Sequence, residues 1–132
     1  MTKAKLAAEA IVRVRNRTGV LAQVTRSIAE KGVNIEAVVA TAEGGDAVVR
    51  LVTSNHLRTM TVLREQRPEV QEANVVVAEV GDQPGLLQHL TEKLARENID
   101  VLYLYGTAGD VEKCVVVFSS TNNERAVSLL NA

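Results

Sequence analysis

The hexapeptide Asn16-Arg17-Thr18-Gly19-Val20-Leu21 has a counterpart of the same residue classes, Asp82-Gln83-Pro84-Gly85-Leu86-Leu87. The glycines of the two hexapeptides are 66 residues apart, and we expect the residues that follow to correspond at this offset, without a gap, to the end of the chain. Few paired side chains are identical, but apolar, polar and turn-forming residues follow in the same order. A fixed internal offset predicts that one structural unit is present twice.

Each unit contains five predicted elements, in the order strand, helix, strand, strand, helix. Residues 10–14 and 75–80 are strand-like runs, and in both units apolar residues at helical spacing follow the hexapeptide. Gly32 and Asn98 are expected to end these two helices, because both residue types tolerate the left-handed backbone common at helix C-termini.

The second half of each unit has the pattern of a hairpin followed by a helix. The predicted hairpin turns are Gly44-Gly45 in the first unit and Gly109-Asp110 in the second. Asn55 is expected to cap the last helix of the first unit. Thr121-Asn122-Asn123-Glu124 predicts a capping box before the last helix of the second unit.

This order of elements is five-sixths of the ferredoxin-like (βαββαβ) motif, in which two helices cover one face of an antiparallel sheet. We therefore predict an α+β protein with an N-terminal tail at 1–8, a first domain at 9–73 and a second at 74–132. A long strand at about 70–80 is expected to serve both domains. The second domain lacks a sixth element because the chain stops at Ala132 after its last helix. Its open sheet edge predicts pairing with the sister domain or another chain, and we expect a homodimer.

Composition narrows the class of protein. Hydrophobic residues make up 46% of the chain, which is enough for a packed core, and the net charge of -1 offers no field to attract nucleic acid or an anionic membrane. Cys114 is the single cysteine, so neither an internal disulfide nor a cysteine metal cluster can form. No apolar run has the length of a signal core or a membrane span, and we expect a cytoplasmic protein.

No catalytic or metal-binding pattern is present in the sequence. His56 and His89 lie in predicted helices of different units and have no evident carboxylate or nucleophile nearby, so we expect both to be solvated. There is no Cys-x-x-Cys pair, no close histidine pair and no acidic calcium loop. We expect a protein that is not an enzyme and that needs neither cofactor nor metal.

The two hexapeptides resemble the first loop of the ACT domain, which has an acidic or amide residue, any residue, proline or a small residue, glycine and two aliphatic residues. The family's helix-to-strand junction is similar to Gly32-Val33-Asn34-Ile35, and Asn98-Ile99-Asp100-Val101 is a looser copy. Tyr103-Leu104-Tyr105 is similar to a run in small stand-alone tandem ACT proteins. The resemblance covers residues 9–130 and implies two ACT domains that bind small effectors, typically amino acids, at the loop between first strand and first helix.

The chemistry of such a site is simple to state. A helix start offers unpaired N–H groups and about half a positive charge, which suit a carboxylate, and glycine lets a ligand approach the backbone. Carboxylate or amide oxygens could accept hydrogen bonds from the ligand's ammonium group. The ligand-binding residues that the resemblance implies are Asn16, Arg17, Thr18, Gly19, Val20, Leu21, Asn34, Ile35, Asp82, Gln83, Pro84, Gly85, Leu86, Leu87, Asp100 and Val101.

Each of these residues also has a structural interpretation. Asn16 and Asp82 precede helices, where such side chains commonly act as caps. Gly19 and Gly85 could serve only the turn, and Asn34 could serve only the helix-to-strand junction.

The sequence departs from the family pattern in both units, which puts one of the two sites in doubt. Thr18 stands where the family usually has proline, and Asp100 stands where it favours asparagine. Three other functions remain open. They are a ligand-free dimerisation scaffold, an RNA-binding ferredoxin-like domain, which the few aromatic residues and slight acidity disfavour, and an enzyme.

Overall fold

The computed structural model of the protein describes residues 2–67, 69–81, 84–108 and 113–132. Its elements follow in the order β1 (Lys3–Arg15), α1 (Val20–Ala29), β2 (Ile35–Glu43), β3 (Asp46–Thr53), α2 (His56–Gln66), β4 (Gln71–Gly81), α3 (Leu86–Arg96), β5 (Val101–Ala108), β6 (Lys113–Ser120) and α4 (Asn123–Asn131). They form two compact units, which we call the first unit (8–73) and the second unit (1–7 with 74–132). The prediction of two ferredoxin-like units is confirmed.

In the first unit, the strands are hydrogen-bonded in the order β2-β3-β1-β4. β1 and β2 both run antiparallel to β3, with Val12 opposite Val49 and Val39 opposite Arg50. Alternate strand residues face the helices, as the period of two in the sequence predicts. The core of this unit consists of Ala10, Val12, Val14, Val20, Val24, Ile28, Val33, Val49, Leu51, Met60, Leu63 and Val70.

The second unit repeats this arrangement with the strand order β1-β4-β6-β5. β6 runs antiparallel to both neighbours, so Phe118 lies opposite Val76 of β4 and Leu104 of β5. Its core consists of Val76, Ala78, Val80, Leu90, Leu94, Ile99, Val116, Phe118, Ala126 and Leu130.

The expected N-terminal tail is instead a strand. Residues 3–8 lie in β1, and Lys3–Ala7 belong to the second unit, beside β4. Ala4 packs against the second core and bonds to Asn131 of α4. The chain's own first residues therefore supply the strand that the second unit lacks. An unpaired sheet edge leaves a row of N–H and C=O groups without partners, which is the physical reason for this pairing.

The repeat is also less regular than its sequence predicts. Val14 pairs with Ala47, whereas its counterpart Val80 pairs with Cys114. These partners are 67 residues apart rather than 66, so the second hairpin contains one residue more than the first. The expectation of a gap-free offset was wrong. The Gly44-Gly45 turn forms as predicted, while the predicted turn at Gly109-Asp110 lies outside the described residues.

The ends of the first helix of each unit confirm the sequence prediction. Gly32 follows α1 with φ 73°, and Asn98 follows α3 with φ 58°. Both residues lie in the left-handed region that the sequence anticipates at these positions.

The starts of the last helices confirm one prediction and correct another. Asn55 caps α2 by accepting a hydrogen bond from the Arg58 N–H at 3.0 Å. α4 is capped by Asn122, which accepts from the Arg125 N–H at 3.0 Å, and not by a Thr121 capping box. The extra hairpin residue shifts the cap by one position. No described helix has the length and apolar character needed to cross a membrane.

Candidate functional site

The start of α1 is a turn made by glycine. Gly19 is the N-cap residue with φ 87°, and among the described residues no side chain accepts a hydrogen bond from the start of this helix. Asn16 does not cap it. Instead, the Asn16 backbone N–H donates to the Gly45 carbonyl at 3.0 Å and thereby holds the loop against the β2–β3 turn. The Val20 N–H, the first of α1, donates to the Arg17 carbonyl at 3.2 Å, so the next N–H groups, those of Leu21 and Ala22, are the ones that the helix start leaves for an external acceptor.

The start of α3 has the same geometry. Gly85 is its N-cap with φ 89°, again without a side-chain cap among the described residues. Asp82 and Gln83 lie outside those residues, and Pro84 is exposed. A β-carbon placed at Gly19 or Gly85 would meet no atom within 4 Å, so their positive φ is what requires glycine there. Within the described part of the chain, the space beside both glycines is therefore free of other atoms.

The next two residues of each hexapeptide divide between core and surface. Val20 is buried in the first core and Leu21 is exposed. In the second unit Leu86 is half-buried and Leu87 is exposed.

The helix-to-strand junction of the first unit is fixed by backbone hydrogen bonds. The Asn34 N–H donates to Ser54 Oγ at 3.0 Å, and the Ser54 N–H donates to the Asn34 carbonyl at 2.9 Å. Asp100 and Thr121 repeat this pair of bonds in the second unit, at 3.0 Å each. Because Asn34 and Asp100 contribute only their backbone groups to these bonds, their exposed side chains are not needed for the junction.

A groove of about 470 Å³ lies in the first unit, and we call it the α1 groove. This volume lies in the range of small-molecule sites. Two predicted site residues, Asn34 and Ile35, are among its lining residues. Among the described residues, the lining consists of Ala22, Thr25, Arg26, Ala29, Val33, Asn34 and Ile35.

The lining residues that sequence analysis missed follow a helical pattern. Ala22, Thr25, Arg26 and Ala29 have the spacing i, i+3, i+4, i+7, so they form one stripe along α1. This second stripe is distinct from the core-facing one and contains two alanines, where a purely solvated face would have long polar side chains. This spacing of small and polar residues was the feature of the sequence that could have identified the groove-lining side of α1.

The groove does not include the predicted residues 16–21 of the loop before α1. Gly19 begins α1, whereas Arg26 lies in its last turn. At 1.5 Å per residue the two positions are about 10 Å apart along the helix axis. The structure therefore contains two separate features in the first unit, an open helix start and a lined groove.

The polar side chains that line the groove differ in whether they already form hydrogen bonds within the protein. The Thr25 hydroxyl donates to the carbonyls of Leu21 and Ala22, both at 3.1 Å. The side chains of Arg26 and Asn34 are exposed and make no hydrogen bond or ion pair with any described residue. The groove thus presents one cation and one amide to a ligand.

Two side-chain pairs outside the groove were not anticipated from the sequence. His56 is not a freely solvated histidine, because its Nε2 donates to Glu72 Oε2 at 2.6 Å. This hydrogen bond, more than the opposing effect of burial, lowers the pKa of the Glu72 carboxyl. Glu9 of β1 is fully buried and pairs with Arg50 at 3.2 Å.

In the described part of the chain, no group of three or more His, Cys, Asp or Glu residues is placed to hold a metal ion.

Residues 4–131 match the family described as the ACT domain pair. The chain belongs to this family. The comparison with curated proteins gave no significant match.

Solved structures show how widely this ACT domain pair fold is shared. Protein BT0572 from Bacteroides thetaiotaomicron has a TM-score of 0.89 at 22% identity, over 97% of this chain and 88% of that one. The ligand-free regulatory subunit of aspartate kinase from Thermus thermophilus has a TM-score of 0.70 at 11% identity, over 96% and 91%. The regulatory subunit from Thermus flavus has a TM-score of 0.63 at 12% identity, over 98% and 94%. At these identities the likeness concerns the fold.

Proposed function

We propose that this ACT domain pair is a regulatory protein that binds a small metabolite, an amino acid, in the α1 groove of the first unit. The observation that carries the proposal is the meeting of Asn34 and Ile35, which the family pattern selects, with a stripe of α1 around a groove of suitable volume. The regulatory role is supported by the family and by the regulatory subunits of aspartate kinase that share the fold.

The lining offers what an amino acid requires. Arg26 can bind a carboxylate, the Asn34 amide oxygen can accept from an ammonium group, and the apolar residues can contact a side chain. The loop at 16–21 in the first unit and, separately, residues 82–87, Asp100 and Val101 in the second unit stay predictions, because a helix start offers N–H groups that suit a carboxylate.

Ligand binding would act by shifting populations. A ligand that binds one conformation or assembly state more tightly than another stabilises it by the difference in affinity. We propose that this state is passed on through a dimer interface or to a partner protein.

A thermal-shift screen with the twenty amino acids tests the proposal. A ligand at 100 times its Kd stabilises the folded state by about 2.7 kcal/mol. Ala29→Trp fills the groove and should abolish the stabilisation. Ala95→Trp is the matched control, because Ala95 is exposed at the equivalent position of α3. If no amino acid raises the Tm, or if Ala29→Trp responds like the unaltered protein, the proposal fails.

A second candidate, a scaffold that dimerises without a ligand, is favoured by the surface of β5. This strand is hydrogen-bonded to β6 at the edge of its sheet, and Val101 and Leu102 are exposed on it. Leu102→Lys should convert a dimer to a monomer in sedimentation equilibrium. Leu57→Lys, at an exposed leucine of α2, is the control that should leave the assembly state unchanged.

A further inference from the structure

The surface that forms the α1 groove has a chemically different counterpart in the second unit. Up to β5 the two units correspond at the offset of 66, since α1 and α3 both begin after their glycines and both contain a threonine bonded back to two carbonyls. At three positions the side chains change character, with Ala22 replaced by Gln88, Arg26 by Glu92 and Asn34 by Asp100.

These changes reverse the charge of the surface. Among the described residues of the first unit, Arg26 is the only charged residue that lines the groove. At the equivalent place in the second unit, Glu92 accepts a hydrogen bond from Gln88 Nε2 at 3.0 Å and lies 3.9 Å from Arg96. The longer Gln88 side chain therefore lies where Ala22 leaves space, and both Glu92 and the exposed Asp100 would repel an anion.

We propose that Arg26 makes the α1 groove selective for a carboxylate with a short aliphatic chain, and that the equivalent surface of the second unit does not bind it. This inference rests on the proposed function of the groove. It specifies the class of ligand and the number of sites, one per chain.

The carboxylate end is assigned to Arg26 by the polar groups of the groove. A guanidinium donates two parallel hydrogen bonds to a carboxylate, and this one has no competing partner among the described residues. The start of α1 is about 10 Å away along the helix, so one carboxylate cannot contact both.

The aliphatic end is assigned by the remaining lining. Ala22, Ala29, Val33 and Ile35 present apolar surface, and the Thr25 hydroxyl already donates its hydrogen to backbone carbonyls. The described lining contains no carboxylate, so an ammonium group meets neutral acceptors there, such as Asn34. Two sources share this chemistry, an aliphatic amino acid and the 2-oxo acid with the same carbon chain.

Titration calorimetry on the full chain tests the inference, with valine, leucine, isoleucine, their 2-oxo acids and valinamide as probes. We expect one site per chain for an aliphatic carboxylate and no binding of valinamide, which lacks the carboxylate. Tighter binding of the amino acid or of its 2-oxo acid identifies the source, and either supports the inference.

Substitutions at position 26 test whether Arg26 binds the carboxylate. Arg26→Gln should weaken binding about 10- to 100-fold, the usual effect of losing a charge-assisted hydrogen bond, whereas Arg26→Lys should retain part of the affinity. Glu92→Gln is the control. It alters the second unit and should leave the affinity unchanged.

The outcomes separate this inference from the proposed function. If an amino acid binds and Arg26→Gln binds it equally well, or if Glu92→Gln weakens binding instead, selection by Arg26 is overturned while the sensor function stands. Equal binding of valinamide and valine would also overturn selection by Arg26 without affecting the sensor function. A stoichiometry of two sites per chain would do the same. If none of the probes and none of the twenty amino acids binds, the proposed function itself is lost.

Discussion

The backbone of Ala4 forms two hydrogen bonds with the side chain of Asn131. Its N–H donates to Asn131 Oδ1 at 2.8 Å, and its carbonyl accepts from Asn131 Nδ2 at 2.9 Å. The two residues are separated by 127 positions in sequence. An asparagine side chain here satisfies a strand residue as a neighbouring strand would, and it joins β1 to α4.

Asn131→Ala should therefore lower the stability of the protein. Both bonds are lost from an exposed site, and we expect a decrease in the free energy of unfolding of about 1 kcal/mol, measured by urea denaturation. Ser128→Ala, an exposed position on the same helix, should change it by less than about 0.5 kcal/mol. Equal stabilities of the two variants would contradict a role for this contact.

The cap of α4 gives a second prediction. Asn122→Ala removes the side chain that accepts from the Arg125 N–H and should cost about 1 kcal/mol of unfolding free energy. Glu124→Ala should be nearly neutral, because the capping box that would engage Glu124 does not form. If thermal melts show a larger loss of stability for Glu124→Ala than for Asn122→Ala, the capping box forms after all and this explanation is wrong.

Gly32, the residue with a left-handed backbone after α1, gives a third prediction. Gly32→Ala should cost about 1 kcal/mol or more, since a β-carbon is unfavourable at φ 73° although it would meet no atom within 4 Å. Gly32→Asn should cost less, because Asn98 adopts this conformation at the equivalent position. Gly45→Ala is the control without positive φ. The measurement is the free energy of unfolding, and equal effects of alanine and asparagine at position 32 would refute the explanation.

The pair of His56 and Glu72 predicts a dependence of stability on pH. The lowered pKa of Glu72 means that the folded protein binds fewer protons at this carboxyl than the unfolded chain does. The stabilisation is therefore present above the ordinary glutamate pKa and is lost as the pH falls through the lowered value. Glu72→Gln should be less stable than the unaltered protein at about pH 6, and the difference should shrink below about pH 4. Chemical denaturation across this range measures the difference, with Glu65→Gln, at an exposed position of α2, as the matched control variant.

Asn34 and Ser54 separate binding from stability. Asn34→Ala keeps the backbone bonds of the junction and should leave the free energy of unfolding within about 0.5 kcal/mol while weakening binding of the amino acid found in the screen. Ser54→Ala removes the acceptor of the Asn34 N–H and should cost about 1 kcal/mol of stability. Calorimetric titration and urea denaturation of both variants check this, and a loss of stability in Asn34→Ala would assign its side chain a structural role.

Much of the fold followed from local patterns. Apolar periodicity predicted the order of elements, and residue types with known backbone preferences predicted the conformations of Gly32 and Asn98. Each of these features depends on a few neighbouring residues, so a single sequence is sufficient to find it.

What the sequence did not predict depends on contacts between distant residues. The pairing of Lys3–Ala7 with the second unit cannot be seen in a short basic segment at the chain start. The extra residue of the second hairpin became visible only through the partners of Val14 and Val80. For the site, the family pattern identified Asn34 and Ile35, but the facing stripe of α1, including Arg26, required knowing which side of the helix borders β2.

The contact of Ala4 with Asn131 also places the start of β1 beside α4, although 127 positions separate the two residues. In a circular permutant in which a short linker joins residue 132 to residue 1 and the chain is opened at the Gly44-Gly45 turn, β1 would follow α4 directly. The contact would then be local, and the entropy cost of bringing its partners together would fall. We expect such a permutant to complete its second unit faster than the unaltered protein does.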